Sequence, residues 1–240
     1  MTKEVRCSVG IKLFLFCCSV FLIRCVDQPA SQSIQSLKTI QSPRQLLSLG
    51  DSYTIGESVE EGQRWPNQLV QRLKTEGILF APPTIVAKTG WTTDELLEGI
   101  ASTTLRENYD FVSLMIGVNN QYRDRSIENF RAEFEQLLAL ALDKVSGQPH
   151  RVFVLSIPDW GVTPFAQERD SAQIAKEIDA FNAAIATICA AKKVTYIDVT
   201  SISRSADSSQ FLAPDGLHPS GEMYELWVDA VMPFFKKHAE

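Results

Sequence analysis

Three polar residues with the chemistry of a hydrolytic site lie far apart in the chain. Ser52 follows an apolar run within Gly50-Asp51-Ser52-Tyr53, where the glycine permits a tight turn. Asp215 stands three residues before His218 in a turn marked by glycine and proline. A serine hydroxyl becomes a nucleophile when a base removes its proton, and a carboxylate that accepts the Nδ1 hydrogen of a histidine leaves Nε2 to face the serine. The three residues therefore predict a nucleophile, an orienting acid and a base.

The surrounding sequence predicts the elements that must bring these residues together. Five short apolar runs have the composition of buried strands: Gln45–Leu49, Thr84–Ala87, Phe111–Ile116, Val152–Ile157 and Val194–Val199. Helical patterns with apolar residues at three- and four-residue steps alternate with them, starting at Trp65, Ser126, Ile174 and Met223. Parallel strands need crossover connections, so this alternation predicts a three-layer α/β/α sandwich with a five-stranded, mostly parallel sheet. Ligands of such folds bind beyond the carboxyl ends of the strands.

Four separated blocks of the chain resemble the SGNH, or GDSL-type, esterase and lipase superfamily. In the family's order, they are Gly50-Asp51-Ser52, Gly90, Gly117-Val118-Asn119-Asn120 and Asp215-x-x-His218. The resemblance implies the flavodoxin-like SGNH hydrolase fold, with Ser52, Asp215 and His218 as the catalytic triad. It also implies an oxyanion hole formed by the backbone N–H groups of Ser52 and Gly90 and the side-chain amide of Asn119. Such donors stabilise the tetrahedral intermediate of acyl transfer.

One position departs from the family's pattern, since Asn120 stands where aspartate is usual. Asn119 keeps the donor role, so we expect Asn120 to affect loop structure or hydrogen bonding in the pocket rather than to abolish the chemistry. Each residue also has a structural interpretation, because Gly-Asp-Ser is common at helix starts and glycine or asparagine is common after strands. The order of the four blocks favours the functional interpretation. The Gly-x-Ser-x-Gly sequence of the α/β-hydrolase fold is absent.

Composition limits the classes of protein to which the chain belongs. Its 240 residues, 45% of them hydrophobic, suffice for one catalytic domain, which we place at 43–240. The net charge of −6 argues against binding to nucleic acid. Cys189 is the one cysteine after the first 25 residues, and the three histidines have no nearby partners with metal-ligand spacing. We therefore expect neither a metal nor a cofactor.

The N-terminus predicts export. Three basic residues precede the uncharged run Leu13–Ile23, whose 11 residues suit a signal peptide and are too few to span a bilayer. Residues 1–25 are therefore interpreted as a signal peptide or lipoprotein-type leader, and the Gln/Ser-rich segment 26–42 as a flexible linker. A location in a bacterial cell envelope follows, either free or tethered to the membrane through the N-terminus.

The end of the leader resembles a bacterial lipoprotein box, because Leu22 stands three places before Cys25. Arg24 occupies the position where such boxes have a small residue. Lipidation of Cys25, ordinary cleavage and retention as an uncleaved anchor therefore all stay open.

The leading hypothesis is a serine esterase, a carboxylic ester hydrolase that acts on a small-molecule ester. We favour small or medium acyl groups, because no long stretch between the strand candidates offers a lid over a lipid. Two alternatives are a flavodoxin-like protein that binds a phosphate or nucleotide at the loop Asp51–Gly56, and a catalytically silent carbohydrate-binding envelope protein. The first of these leaves Asp215 and His218 without a role. The superfamily includes carbohydrate acetylesterases, thioesterases, lysophospholipases and arylesterases, and the sequence favours none of them.

Four aromatic residues near the motifs stay unassigned. Tyr53, Trp91, Tyr122 and Trp160 fall in or near predicted loops. They either line an acyl pocket or pack as lids over the core. The oligomeric state is not predicted either.

Overall fold

The computed structural model of the chain describes residues 42–205 and 210–239. The predicted leader, Cys25 and the predicted linker up to residue 41 lie outside these ranges. No helix within the described ranges combines the length and the apolar character that a membrane crossing requires.

In the described part of the chain, five parallel strands form one sheet in the order β2-β1-β3-β4-β5. The strands are β1 (Leu46–Gly50), β2 (Thr84–Ala87), β3 (Phe111–Met115), β4 (Val152–Leu155) and β5 (Thr195–Ile197). All five predicted strands are present, and no end differs from its predicted position by more than two residues. The strand order reverses at β1, so a crevice opens between the carboxyl ends of β1 and β3, where doubly wound sheets bind ligands.

Eight α-helices lie in the described residues, and the longer ones cover the sheet. They are α1 (Ser52–Ile55), α2 (Trp65–Thr75), α3 (Thr93–Ser102), α4 (Val118–Tyr122), α5 (Ile127–Asp143), α6 (Ser171–Lys192), α7 (Thr200–Ser205) and α8 (Gly221–His238). The helical patterns predicted α2, α5, α6 and α8. Helix α2 packs against α8, and α5 packs against both α3 and α6.

Every residue of β1 and of β3 is buried. Side chains alternate between the two faces of a strand, so helices must cover both faces. Aromatic rings fill the layer between β4 and the pair α2 and α8: Phe153 lies 6.4 Å from Trp65 and 4.9 Å from Phe234, between ring centroids. These observations confirm the predicted α/β/α sandwich and leave the carboxyl edge of the sheet as the place where loops form a site.

Candidate active site

Ser52 begins helix α1 directly after β1, at the carboxyl edge of the sheet. Asp51 caps this helix, because Oδ1 of its buried carboxyl accepts a hydrogen bond of 3.1 Å from the backbone N–H of Tyr53. The turn requires glycine at position 50, where a Cβ would lie 2.2 Å from a hydroxyl of α1 and 2.4 Å from a carbonyl oxygen of β3. After one turn the helix ends at Gly56, whose φ is +70°. Strand, turn and cap together fix the position of the predicted nucleophile.

The carboxyl of Asp51 differs in its protonation from an ordinary aspartate. Burial raises the pKa of Asp51 to about 7, although hydrogen bonds from the backbone N–H groups of Tyr53 and of Asp51 itself oppose the rise. The residue before the predicted nucleophile therefore changes its charge in the neutral range of pH.

Asp215 and His218 are hydrogen-bonded as the sequence spacing predicts. Nδ1 of His218 lies 2.7 Å from Oδ2 of Asp215, and Oδ1 accepts the backbone N–H groups of Leu217 and His218 at 2.9 Å each. Gly216, with a φ of +69°, permits the tight turn between them. Burial opposes ionisation of Asp215, yet hydrogen bonds from Ser58, from His218 and from the two backbone N–H groups hold its pKa well below the usual range. The acid is therefore a carboxylate at neutral pH.

One pocket of about 160 Å³ brings the separate motifs together. Ser52, Gly90, Asn119 and His218 all line it. Asp215 does not line it and contacts the ring of His218 through Nδ1, the nitrogen away from the nucleophile in a triad. The ring of Tyr53, next to Ser52, lies 5.6 Å from the ring of His218, between centroids. Every residue that the sequence assigned to the triad or the oxyanion hole thus lies at this pocket or bonds to a residue that lines it.

Two hydrogen bonds, one from α4 and one from the residue that follows it, hold the loop that contains Gly90. Nδ2 of Asn119 donates to the carbonyl oxygen of Trp91 over 3.0 Å, and Nη2 of Arg123 donates to the carbonyl oxygen of Gly90 over 2.6 Å. An amide nitrogen carries two hydrogens, so Asn119 keeps one donor for the pocket that it lines. Gly90 itself has a φ of +85°, which favours glycine. The loop and α4 are therefore bonded to each other, and each contributes a residue to the lining of the pocket, Gly90 and Asn119.

Asn120, the position that departs from the family's pattern, does not line the pocket. It is buried, its Oδ1 accepts the backbone N–H of Thr93 over 3.1 Å, and its Nδ2 donates to Oγ1 of Thr93 over 2.7 Å. Thr93 is the first residue of α3, where the backbone N–H has no partner within the helix. Asn120 thus joins α4 to the start of α3, a structural contact at the end of the Gly90 loop.

A sequence model of the GDSL-like lipase/acylhydrolase family matches residues 48–226, which include every residue predicted for the triad and the oxyanion hole. The chain belongs to this family. The match confirms the resemblance that the four blocks indicated.

Solved structures with this family's fold superpose on most of the chain. TesA matches with a TM-score of 0.64 and 20% identity over 81% of this chain and 99% of its own. A lipase/acylhydrolase from Enterococcus faecalis matches with a TM-score of 0.63 and 22% identity over 81% and 96%. Axe2, an acetylxylan esterase from Geobacillus stearothermophilus, matches with 0.63 and 18% over 81% and 95%. At these identities the likeness extends to the fold alone. No curated protein sequence matched the chain.

In this GDSL-family member, aromatic side chains form much of the pocket wall. Tyr53, Tyr122 and Trp160 line the pocket, as does Phe165, which the sequence did not single out. The ring of Tyr122 lies 5.4 Å from Trp160 and 6.3 Å from Phe165, between centroids. Trp91, in contrast, packs against α3, since a Cβ at Gly99 would lie 2.2 Å from its ring. Three of the four unassigned aromatic residues are therefore pocket residues, and the fourth is partly buried and packs against the core.

The mouth of the pocket is apolar and open. Tyr122 is 41% exposed and Phe165 is 50% exposed. Nε1 of Trp160 donates to Oε1 of Gln121 over 2.8 Å, which fixes the orientation of this buried ring. Within residues 42–205 and 210–239, no group of histidine, cysteine and carboxylate side chains has the arrangement of a metal site.

Two polar residues that contact the GDSL-family motifs were missed by the sequence analysis. Arg123 binds the Gly90 carbonyl and also forms an ion pair of 3.2 Å with Glu95. Ser58 donates to Asp215 over 2.6 Å. Neither residue lies in a motif, and their partners are distant in sequence, so no local pattern indicates either contact.

Proposed function

We propose that the chain is a serine esterase that hydrolyses carboxylic esters of small or medium acyl groups through an acyl-enzyme on Ser52. One observation carries the proposal: the imidazole of His218 is bound at Nδ1 by the carboxylate of Asp215 over 2.7 Å and lines the same pocket as Ser52. A histidine held in this way has Nε2 free to accept the proton of a serine hydroxyl.

The chemistry proceeds in two halves. Oγ of Ser52 bonds to the ester carbonyl carbon while its proton passes to Nε2 of His218. The bond between that carbon and the alcohol oxygen then breaks, and the imidazolium returns the proton to the leaving oxygen. Water attacks the acyl group on Ser52 with the same base, which releases the acid and restores the serine.

The oxygen that gains charge in each half faces hydrogen-bond donors. The backbone N–H groups of Ser52 and Gly90 and the remaining amide hydrogen of Asn119 are these donors in our proposal. One preorganised donor of this kind is typically worth about 10²- to 10³-fold in kcat. The contacts of α4 with the Gly90 loop keep two of these donors together before a substrate binds.

The size of the pocket supports short acyl chains. Its volume is about 160 Å³, and an apolar protein cavity of roughly 150 Å³ accepts benzene, a molecule of six non-hydrogen atoms. A butyryl or hexanoyl group is of that size, and the aromatic wall suits its apolar carbons. Axe2, an acetylxylan esterase, has a similar fold, in line with a small acyl group.

Rates on p-nitrophenyl esters test the proposal. For the full-length chain, we expect kcat/KM to be highest for the butyrate or hexanoate ester and to fall at least tenfold at the dodecanoate ester. A fluorophosphonate should add once per chain, as measured by intact mass. Ser52→Ala should abolish both labelling and hydrolysis, and His218→Ala should lower kcat about 10⁴-fold or more with the fold retained.

Two exposed residues of the same types serve as controls. Ser171 begins α6, and His150 lies in a short 3₁₀ turn before β4, both outside the pocket. Ser171→Ala and His150→Ala should leave the rates unchanged. A wild-type chain that neither hydrolyses esters nor reacts with the fluorophosphonate, or labelling that persists in Ser52→Ala, would contradict the esterase proposal.

We also propose that the chain is exported to a bacterial cell envelope, on the basis of the basic N-terminus and the apolar run Leu13–Ile23. Mass spectrometry of the mature protein tests this proposal. A mature N-terminus at Cys25 that carries acyl chains supports a lipoprotein, and an intact Met1 in a cytosolic fraction contradicts export.

A further inference from the structure

The loop after the predicted nucleophile is bonded to the acid of the predicted triad. Oγ of Ser58 donates to Oδ2 of Asp215 over 2.6 Å, between residues 157 positions apart in the sequence. Oδ2 is also the oxygen that lies 2.7 Å from Nδ1 of His218. One carboxylate oxygen therefore holds the base on one side and a serine hydroxyl on the other.

Ser58 is held in an uncommon conformation for this contact. Its φ is +65°, in the left-handed region that side chains rarely adopt. The preceding turn is fixed by Gly56 and by a hydrogen bond of 3.0 Å from the backbone N–H of Glu57 to the carbonyl oxygen of Ser52. Glycine would adopt this conformation more easily, so the bond to Asp215 comes from a serine whose backbone is strained.

The same loop also contacts the other side of the pocket. The carboxylate of Glu57 accepts a hydrogen bond from the hydroxyl of Thr89, the residue before Gly90. Residues 57 and 58 thus connect the segment after Ser52 to the Gly90 loop and to the Asp215 turn. The adjacent side chains of Glu57 and Ser58 therefore link their own loop to the Gly90 loop and to the Asp215 turn.

Asp215 needs such a contact because it lies in an exposed turn. Its side chain is 31% exposed, whereas that of His218 is 10% exposed. The two backbone N–H groups of the turn bind Oδ1, which leaves Oδ2 to be fixed by side chains. Without Ser58, water would take the second position on Oδ2, and the carboxylate would rotate more freely about its bonds.

We propose that Ser58 is a positioning residue of the triad, whose hydroxyl fixes Oδ2 of Asp215 in the orientation that receives Nδ1 of His218. The inference rests on the esterase function proposed above. Ser58 does not line the pocket, so it acts on the reaction through Asp215 and not on the substrate.

Steady-state kinetics of Ser58→Ala and Ser58→Gly in the full-length chain test the role. Both variants remove the hydroxyl, but glycine also relieves the backbone strain at positive φ, so the two differ in stability. We expect both to lower kcat on the butyrate ester about 5- to 10-fold, equivalent to about 1 to 1.4 kcal/mol, with KM unchanged within twofold. Ser146 is the matched control, because its φ is +56° and its hydroxyl donates to Asn108 over 2.8 Å. Ser146→Ala should leave kcat unchanged.

A double-mutant cycle separates positioning from a general effect on the fold. If Ser58 acts through Asp215, Ser58→Ala should change kcat less than twofold when Asp215 is already replaced by alanine. Wild-type kcat in Ser58→Ala and Ser58→Gly, an equal loss in both backgrounds, or recovery of kcat in Ser58→Gly alone would each overturn the inference. An inactive, unlabelled wild-type chain would instead refute the esterase proposal, so the two failures are distinguishable.

Discussion

Replacing Asp51 with asparagine removes a buried carboxyl without changing its shape. The residue is 1% exposed, and Oδ1 accepts the backbone N–H of Tyr53 over 3.1 Å, a bond that the oxygen of an asparagine also forms. Burial raises the pKa of this carboxyl to about 7. Asp51→Asn therefore differs from the wild type chiefly in the loss of one titrating group from the interior.

The magnitude follows from the two pKa values. In the unfolded chain the carboxyl ionises near its ordinary pKa of 3.8, whereas in the fold it keeps its proton until about pH 7. Between these values the folded state binds more protons than the unfolded state, so the free energy of unfolding falls as the pH rises. The interval corresponds to about 4 kcal/mol at 1.36 kcal/mol per pH unit. Water penetration and relaxation reduce such penalties, so we expect a loss of roughly 2 to 4 kcal/mol.

Urea unfolding of the wild type and of Asp51→Asn between pH 4 and pH 8 measures this loss. The difference between the two free energies of unfolding cancels the groups that both proteins share, including Asp215. It should move in favour of the variant by about 2 to 4 kcal/mol between pH 4 and pH 8, and the change should level off as the carboxyl becomes fully ionised above its pKa of about 7. Asp143→Asn controls for the loss of one exposed carboxylate. A difference that is flat across this range would show that Asp51 is ionised in the fold well below pH 7.

Three further substitutions test the pocket and its supports. Asn119→Ala should lower kcat about 10²- to 10³-fold with a small change in KM in steady-state assays, because it removes one oxyanion donor. Asn120→Ala should lower the free energy of unfolding by about 1 to 3 kcal/mol in urea titrations, since it leaves the N–H of Thr93 without its partner. Leu217 lines both the pocket and a narrow, largely apolar crevice that Met223 and Trp227 also line. Leu217→Ala should therefore raise the ratio of kcat/KM for octanoate over butyrate esters about tenfold. An unchanged ratio would show that the crevice does not extend the acyl site.

The sheet was predictable because strands covered on both faces are continuous apolar runs. At the fifth strand, a side-chain contact accompanies the difference between the predicted and the observed end. The fifth strand ends at Ile197, and the backbone N–H of Val199 donates to Oγ of Ser156 over 2.8 Å. The pattern of apolar residues does not indicate this hydrogen bond, so it does not predict where the strand ends. Helix α3 was missed, although Thr92 and Glu95 form a capping box that the sequence displays.

The candidate site was predictable to the extent that its residues lie in short blocks. Ser52, Asn119 and His218 each follow a strand or occupy a marked turn, and the fold brings them to one pocket. Ser58 and Phe165 were not predictable. The role of each residue depends on its contact with a residue that is distant in the sequence. A single sequence does not indicate such contacts.

Different parts of this fold determine the stability of the domain and the geometry of its pocket. The buried strands and the aromatic layers against them stabilise the domain, whereas the pocket is formed by loops that hold one another through polar contacts. Arg123 to Gly90, Asn119 to Trp91 and Ser58 to Asp215 are single hydrogen bonds. Each contributes only about 0.5 to 1.5 kcal/mol to stability, or somewhat more where a partner is charged. A displacement of about 1 Å at the reacting atoms, however, can lower the rate about 10²-fold. Substitutions in these loops should therefore lower kcat while the free energy of unfolding stays nearly constant. Conservative substitutions in the aromatic layers should lower the free energy of unfolding while kcat stays nearly constant.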